Sequence, residues 1–379
     1  MKTGVLLPKS TFHPLLQHDF LQGMQAYLQY RNINVEFITA NIGYGTDEDL
    51  LVEQAEKLLL EQQVQVLIVY ADQITVSKIA NLAKPLNRLV LVVNNGAKYQ
   101  HEWEPHPVVL SHTLNNVIQC RLTSAYAAKH ATSAAVCTSF YDGGYAVCHS
   151  MVQPFENLGG QVEYNFVSQY TVRDFNSTPL HQFLNTRPDV QTLLAIYNGE
   201  LAHCFLQQLQ QANISQPLQI FGSPMLLDET ITSVHGSLKL PFRITGYVPW
   251  VSTLNNKANL LLKEQFTHYT GREVNLPGMH GWDTGMILEH IYNTGDIHRF
   301  RAREILAALQ HITLDSPRGA LQMDTTTNYM ITPAWLVQTN EDFEMEVIGG
   351  IDNTAPLWQE IVNEKRGVAT GWINTYLCA

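Results

Sequence analysis

"NVEFITANIGYGTDEDLLVEQAEKLLLEQQVQVLIVY", residues Asn34 to Tyr70, changes its hydrophobic rhythm twice. "NVEFITA" reads as a strand. "DEDLLVEQAEKLLLEQ" repeats its apolar residues at helical spacing, and its first turn is rich in acids, which suits the positive end of a helix dipole. "VQVLIVY" is then a continuous β-branched run. A strand that is apolar at nearly every position is buried on both faces, so this β-α-β order predicts a parallel sheet covered by helices on each side.

The same alternation extends in both directions. "TGVLLP" at the start leads into a helical pattern with Phe20, Met24, Tyr27 and Leu28 on one face, and "TVSKIANLAKPL" and "RLVLVVNN" continue beyond Tyr70. After Asn116 the pattern begins again: "CRLTSAYAAKH", "SAAVCTSF", "YAVCHSMVQPFENL", "QVEYNFVS", "VQTLLAIY", "LAHCFLQQLQQA", "LQIFGS" and "FRITGYVP". Two doubly wound α/β lobes, each of about 120 residues, are therefore expected, which agrees with a chain too long for one compact core. Beyond Trp250 come the helices "NKANLLLKEQFTHYTG", "GWDTGMILEHIYNTG" and "RAREILAALQHI", then a hairpin-like end around "GALQMD" and "AWLVQ".

Composition narrows the function. The 379 residues are 45% hydrophobic and 15% charged, with 23 basic against 34 acidic side chains and a net charge of −11. No lysine or arginine cluster stands out, which argues against a nucleic-acid partner. No apolar run approaches the roughly 18–20 residues that span a bilayer, so direct membrane insertion is not expected. "TGVLLP" already reads as a strand, not as a signal peptide. Of the five cysteines, Cys137 and Cys148 read as small buried hydrophobes, with a disulfide between them as the alternative. "HEWEPH", His101 to His106, is the nearest approach to a metal cluster, but its spacing does not place two ligands on one helical face. No P-loop, Gly-x-Ser-x-Gly elbow or dinucleotide fingerprint is present, and neither a metal nor a cofactor is expected.

In an open parallel sheet, ligands bind beyond the carboxyl ends of the strands. Polar or aromatic bursts stand at several such ends: "KSTFH" with Ser10 and His13, "YADQ" with Tyr70, Asp72 and Gln73, and "NNGAK" with Asn94 and Asn95. In the second half they are "FYDGGY" with Tyr141 and Asp142, "YNGE" with Tyr197 and Asn198, and "GSPM" with Met225. A wet loop is polar for no further reason, and a helix cap is the main competing reading of Tyr141-Asp142. The bursts recur around one expected cleft, and that favours ligand contact. Trp250 either walls this cleft or packs at a hinge.

Four stretches carry a resemblance: "FLQGMQAYL", "FYDGGYAV" followed by "FENLGGQV", "AIYNGELAHCFLQQLQQANISQPLQIFGSP", and "ILAALQHITLDSPRGALQMD". In this order they resemble the type I periplasmic-binding-protein family, in particular the branch of leucine/isoleucine/valine-binding proteins of ABC transporters. The resemblance runs from about Thr3 to Val337 and leaves the last forty residues unmatched. It implies two lobes that close on a ligand like a flytrap, joined by three crossings near Val117–Arg121, Tyr247–Ser252 and Met330–Pro333. Lobe one would comprise residues 1–118 and 252–329, and lobe two 119–251 and 331–379. It further implies a solute captured for ABC permease subunits in the periplasm or at the cell envelope. The alternatives are a cytoplasmic ligand sensor of the same fold with a regulatory partner and, less favoured, an enzyme on a Rossmann-like scaffold. Relatives of the amino-acid-binding type hold the ligand carboxylate with Ser/Thr-rich loops and its ammonium with an acid from lobe two. Here Asp72 stands where a carboxylate would be repelled, and Pro224 and Met225 stand near the acid's place, for which Asp142 or Glu200 would have to substitute. A neutral polar ligand, such as an amide, a urea-like or a short hydroxylated compound, fits this departure.

Overall fold

The computed structural model describes residues 1–11, 13–97, 104–139, 144–212, 214, 216–294 and 300–364, with the side chains of 73–75 and 144–145 left aside. Two sheets organise the chain. The first begins with β1 (Lys2–Leu7), β2 (Glu36–Asn41), β3 (Val66–Tyr70), β4 (Leu89–Asn94) and β5 (Val109–Thr113), separated by α1 (Leu16–Tyr30), α2 (Glu48–Glu56) and α3 (Gln73–Ala83). These strands are parallel and lie in the order β2-β1-β3-β4-β5.

The local reasons match the sequence pattern. β3 and β4 are buried at all but their last residue, as strands covered on both faces must be. β2, at the sheet edge, is partly exposed throughout. Helix α2 starts at Asp47, whose carboxylate accepts the Leu50 N–H at 3.0 Å, with Glu48 and Asp49 in the first turn; cap and dipole act together.

The second sheet repeats this plan. α4 (Asn116–Ala127), β6 (Ser133–Ser139), α5 (Gly144–Asn157), β7 (Gln161–Ser168), α6 (Thr178–Thr186), β8 (Thr192–Ile196), α7 (Gly199–Gln211), β9 (Gln219–Gly222), α8 (Thr230–His235) and β10 (Ile244–Val248) follow in turn. Their strands run parallel in the order β7-β6-β8-β9-β10. The chain then returns to the first body through α9 (Lys257–Thr270), α10 (Leu276–Thr294) and α11 (Ala302–Leu309). α10 lies directly on α1. A Cβ at Gly23 would come within 1.9 Å of the Gly278 carbonyl oxygen, and one at Gly281 within 2.0 Å of the Phe20 carbonyl oxygen. The helices touch backbone to backbone, and only glycine permits it.

The last strands separate. β11 (Thr313–Ser316), β12 (Gly319–Asp324) and β13 (Tyr329–Ile331) complete the first sheet, with β13 beside β5. β14 (Ala334–Thr339) and β15 (Met345–Ile351) complete the second, antiparallel to β10 and to each other. The single terminal hairpin expected from "GALQMD" and "AWLVQ" is therefore two hairpins in two sheets, because Thr332–Pro333 carries the chain across between them. Val117–Arg121, expected at a crossing, are helical residues of α4. That helix packs on α5 and β10, so the change of sheet comes earlier, at Leu114–Asn115.

α12 (Ala355–Asn363), in the stretch that the resemblance left unmatched, docks at this junction. Trp358 Nε1 donates to Thr327 Oγ1 at 3.1 Å, Gln359 donates to Asp324 at 2.7 Å, and Glu364 pairs with Arg121 of α4. Among the described cysteines, Cys120, Cys137 and Cys204 are free thiols, and burial pushes the Cys137 thiol up from its ordinary value.

Candidate functional site

The order β2-β1-β3-β4-β5 reverses direction between β1 and β3, and the second sheet reverses likewise between β6 and β8. Such switch points open a crevice at the carboxyl ends of the strands. The crevices of the two sheets face each other across a cavity of about 160 Å³ lined from both bodies. The first body contributes the loops after all five of its parallel strands, and also Leu276 and Pro277 at the start of α10. The second contributes Asn198 and Gly199 after β8, and Pro224, Met225 and Asp228 after β9.

Hydrogen bonds hold the first-body loops in place. Asn94 Nδ2 donates to the Ala71 carbonyl at 3.0 Å, and its Oδ1 accepts from Gly96 N at 2.8 Å, joining the loops after β3 and β4. Gly96 has φ +67°, and a Cβ there would meet Asn115 backbone at 2.8 Å, so this turn requires glycine. Ser10 Oγ accepts the His13 N–H at 3.0 Å.

His13 reaches across the cleft. Its Nε2 lies 3.3 Å from Asp228 Oδ2 and its Nδ1 lies 3.4 Å from Thr230 Oγ1. Asp228 Oδ1 also accepts from Thr230 N at 2.9 Å and from Thr230 Oγ1 at 2.8 Å. The next residue, Glu229, accepts from Ser252 N at 3.2 Å and from Ser252 Oγ at 2.8 Å. Burial raises the Glu229 carboxyl above its usual range, and the Ser252 bonds oppose the rise. One loop thus touches the opposite body through Asp228 and the β10–α9 connection through Glu229. At the cavity wall, burial raises the Tyr70 hydroxyl from its ordinary value, and the charges of Asp228 and Asp72 raise it further.

Of the residues singled out from the sequence, Ser10, His13, Tyr70, Asp72, Asn94 and Asn95 line the cavity from one side, and Asn198 and Met225 from the other. Gln73 opens α3; its side chain lies outside the described residues, as do Tyr141 and Asp142 entirely. Two expectations need correction. Tyr197 is fully buried, stacked on Phe205 at 4.5 Å between ring centres, with its hydroxyl donating to the Thr138 carbonyl at 3.0 Å. Its position ends a strand, but its ring turns into the core. Trp250 is only 4% exposed and donates from Nε1 to Asn259 Oδ1 at 2.8 Å, a packed residue that does not line the cavity. Glu200, on the first turn of α7, does not line it either.

Asn116, Asp228 and the Tyr44–Thr46 turn line the cavity without having been anticipated. The strand-end rule, applied also to β2 and β5, would have found the turn and Asn116. Asp228 lies six residues beyond β9, where that rule has no purchase. Among the described residues no group of His, Cys, Asp or Glu is arranged to hold a metal ion; His101 lies outside them. None of the described helices is long and apolar enough to cross a membrane.

Two α/β bodies with a small cavity between their strand ends define a two-lobed solute-binding architecture. Residues 1–344 match the family described as periplasmic binding protein, and the chain belongs to this family, of the type I fold. No curated protein matches it by sequence. Among solved structures, a solute-binding protein of an ABC transporter from R. palustris in complex with benzoate is similar at 19% identity and a TM-score of 0.74, covering 93% of this chain and 98% of that one. An ABC transporter substrate-binding protein from Sphaerobacter thermophilus is similar at 16% identity and a TM-score of 0.78, over 93% and 98%. A leucine-binding protein from Thermotoga maritima is similar at 14% identity and a TM-score of 0.69, over 94% and 99%. At these identities the likeness is one of fold.

Proposed function

We propose that this chain is the solute-binding component of an ABC transporter, working in the periplasm or at the cell envelope. It captures a small polar molecule such as an amino acid, an amide or a related compound and presents it to permease subunits, without transforming it. The bodies built on the two sheets act as the closing lobes. The observation that carries this reading is the cavity of about 160 Å³ lined from both bodies and spanned by His13 and Asp228. A benzene-sized molecule occupies a cavity of roughly 150 Å³, so the space suits a single small solute. A ligand shifts the lobes toward closure only through its preference for the closed form, and contacts from both bodies supply that preference.

Thermal-shift screening of amino acids, amides, polyamines and small aromatic acids tests this. A ligand at 100 times its dissociation constant adds about 2.7 kcal/mol of apparent stability. Asn95→Ala on one side and Met225→Ala on the other should both weaken the same hit. A hit that survives both changes places the site elsewhere, and turnover of the hit would make the protein an enzyme.

A further inference from the structure

β15 ends at Ile351 on the second sheet, and α12 follows it beyond residue 344, where the match to the family stops. The helix does not stay with the sheet it leaves. Thr354 Oγ1, at its N-cap, donates to the carbonyl of Thr332 in the last crossing at 2.7 Å. Trp358 Nε1 donates to Thr327 Oγ1 at 3.1 Å, and its ring meets that of Tyr329 at 4.8 Å between centres. Gln359 Nε2 donates to Asp324 Oδ1 at 2.7 Å and to Thr326 Oγ1 at 3.1 Å. From Asp324 to Tyr329 these partners belong to the β12–β13 hairpin of the first sheet.

The second body is held at the other end of the helix. Glu364, the C-cap of α12, pairs with Arg121 of α4, and the two side chains are only 21% and 11% exposed. One apolar cluster joins Trp358 and Ile361 to Tyr329 and Ile331 of β13 and to Val117 and Ile118 of α4. Several directional bonds therefore tie α12 to the first body, and one ion pair over an apolar patch ties it to the second. The crossings of the chain keep the bodies together at any angle. A helix that touches both must lose contacts to one of them when the angle changes. The more heavily bonded side keeps the helix, and the ion pair is what a rotation gives up.

Resting on the solute-binding reading above, we infer that α12 is a clip on lobe closure. It moves with the first body, and Glu364 with Arg121 fastens it to the second in the arrangement that brings His13 to Asp228. A contact made in one arrangement and lost in the other shifts the equilibrium without touching the solute. It raises apparent affinity by raising the fraction of chains in the arrangement that the solute prefers.

Distances between the bodies, read without solute, test the clip. Dyes attached by non-cysteine chemistry at Glu56 on α2 and Gln210 on α7, both exposed, report open and closed populations by single-molecule energy transfer. Glu364→Gln should raise the ratio of open to closed chains about two- to fivefold, the range of a partly exposed ion pair. Glu364→Arg, which sets two guanidinium groups against each other, should raise it further, and adding Arg121→Glu should bring it back. Gln359→Ala, on the anchoring side, should leave it unchanged. The same series in a His13→Ala background, which lacks the contact across the cleft, keeps the ratio measurable if the original protein is almost wholly closed. Populations that ignore Glu364 in both backgrounds would overturn the clip, and so would an opening that Arg121→Glu fails to reverse. An equal opening by Gln359→Ala would make α12 part of the second body and overturn it likewise. The two readings fail separately: a screen in which no solute binds removes solute binding but not the populations, and unchanging populations leave any solute found by the screen in place.

Discussion

The two bodies share one strand order but not one kind of interior. Behind the cleft, the second body is aromatic and aliphatic: Tyr197 stacks on Phe205 and meets Phe175 edge-on at 5.9 Å. Among the described residues, the first body completely buries the charged or basic side chains of His112, His280, Asp283 and Arg318. Arg318 Nε donates to Asp283 Oδ2 at 2.8 Å, Ser316 Oγ donates to Asp283 Oδ1 at 2.7 Å, and Arg318 Nη1 donates to the Thr113 carbonyl at 3.3 Å. The two histidine rings lie 4.6 Å apart between centres. Thr113 ends β5, one residue before the cavity-lining Leu114. The first body therefore places a hydrogen-bonded group, Arg318 with Asp283, Ser316 and the Thr113 carbonyl, behind its share of the cavity, with the ring nitrogens of His112 and His280 outside that group, and the second seats its share on packed rings. A polar platform fixes directions, because each bond has a preferred angle, but it is vulnerable wherever one partner is lost.

The largest expected effect tests that vulnerability. Asp283→Ala leaves the Arg318 guanidinium buried without its counter-charge and should cost about 3–5 kcal/mol of stability, read by urea denaturation; a loss below 1 kcal/mol would show that the platform does not depend on the pair. Next comes pH. Burial holds both His112 and His280 well below their ordinary value of 6.5; the His280 and then the Arg318 charge lower His112 further, and the Arg318 charge lowers His280 further. The folded state then binds fewer protons than the unfolded chain below that value. Stability is fully present above pH 6.5 and falls as the pH drops beneath it, by up to about 1.4 kcal/mol per pH unit for each excess proton. Denaturation midpoints between pH 7.5 and 5 should show the slope, and His112→Gln should flatten it. The smallest effect belongs to the second body: Tyr197→Phe removes one neutral hydrogen bond to the Thr138 carbonyl and should cost about 1 kcal/mol. It should leave affinity for any cavity ligand unchanged within twofold, and a larger loss would return Tyr197 to the site.

Tyr197 also shows where reading the sequence runs out. The β-α-β plan was legible because period 2, period 3.6 and unbroken apolar runs each report how many faces of an element are covered. Strand ends were legible for the same reason, and Ser10, His13, Tyr70, Asp72, Asn94 and Asn95 reach the cavity by position alone. Direction was not legible. Tyr70 and Tyr197 both sit at the carboxyl end of a strand and both pack their rings on neighbours, Tyr70 edge-on to Phe20 and His280 and Tyr197 on Phe205, yet Tyr70 lines the cavity and Tyr197 is fully buried away from it. The Arg318–Asp283 pair was equally hidden: "GWDTG" and "SPRG" carry no mutual signal, and only the return of the chain through α10 and β11 brings them together.

The placement of β13 against β5 bears on how the protein is made. β5 ends at Thr113, and the strand that covers its open edge begins at Tyr329. At about 5–20 residues per second of synthesis, the β5 edge of the first sheet stands uncovered for roughly 10–40 s while the intervening chain emerges. The edge of β10, which ends at Val248, waits only for Ala334, roughly 4–17 s at the same rate. An unpaired strand edge, with its row of free backbone N–H and C=O groups, is a template for wrong pairing. On the ribosome the hazard therefore falls mainly on the first body, the same body that must also bury a guanidinium and two imidazoles correctly, and the nascent chain needs its protection for the longer of the two intervals.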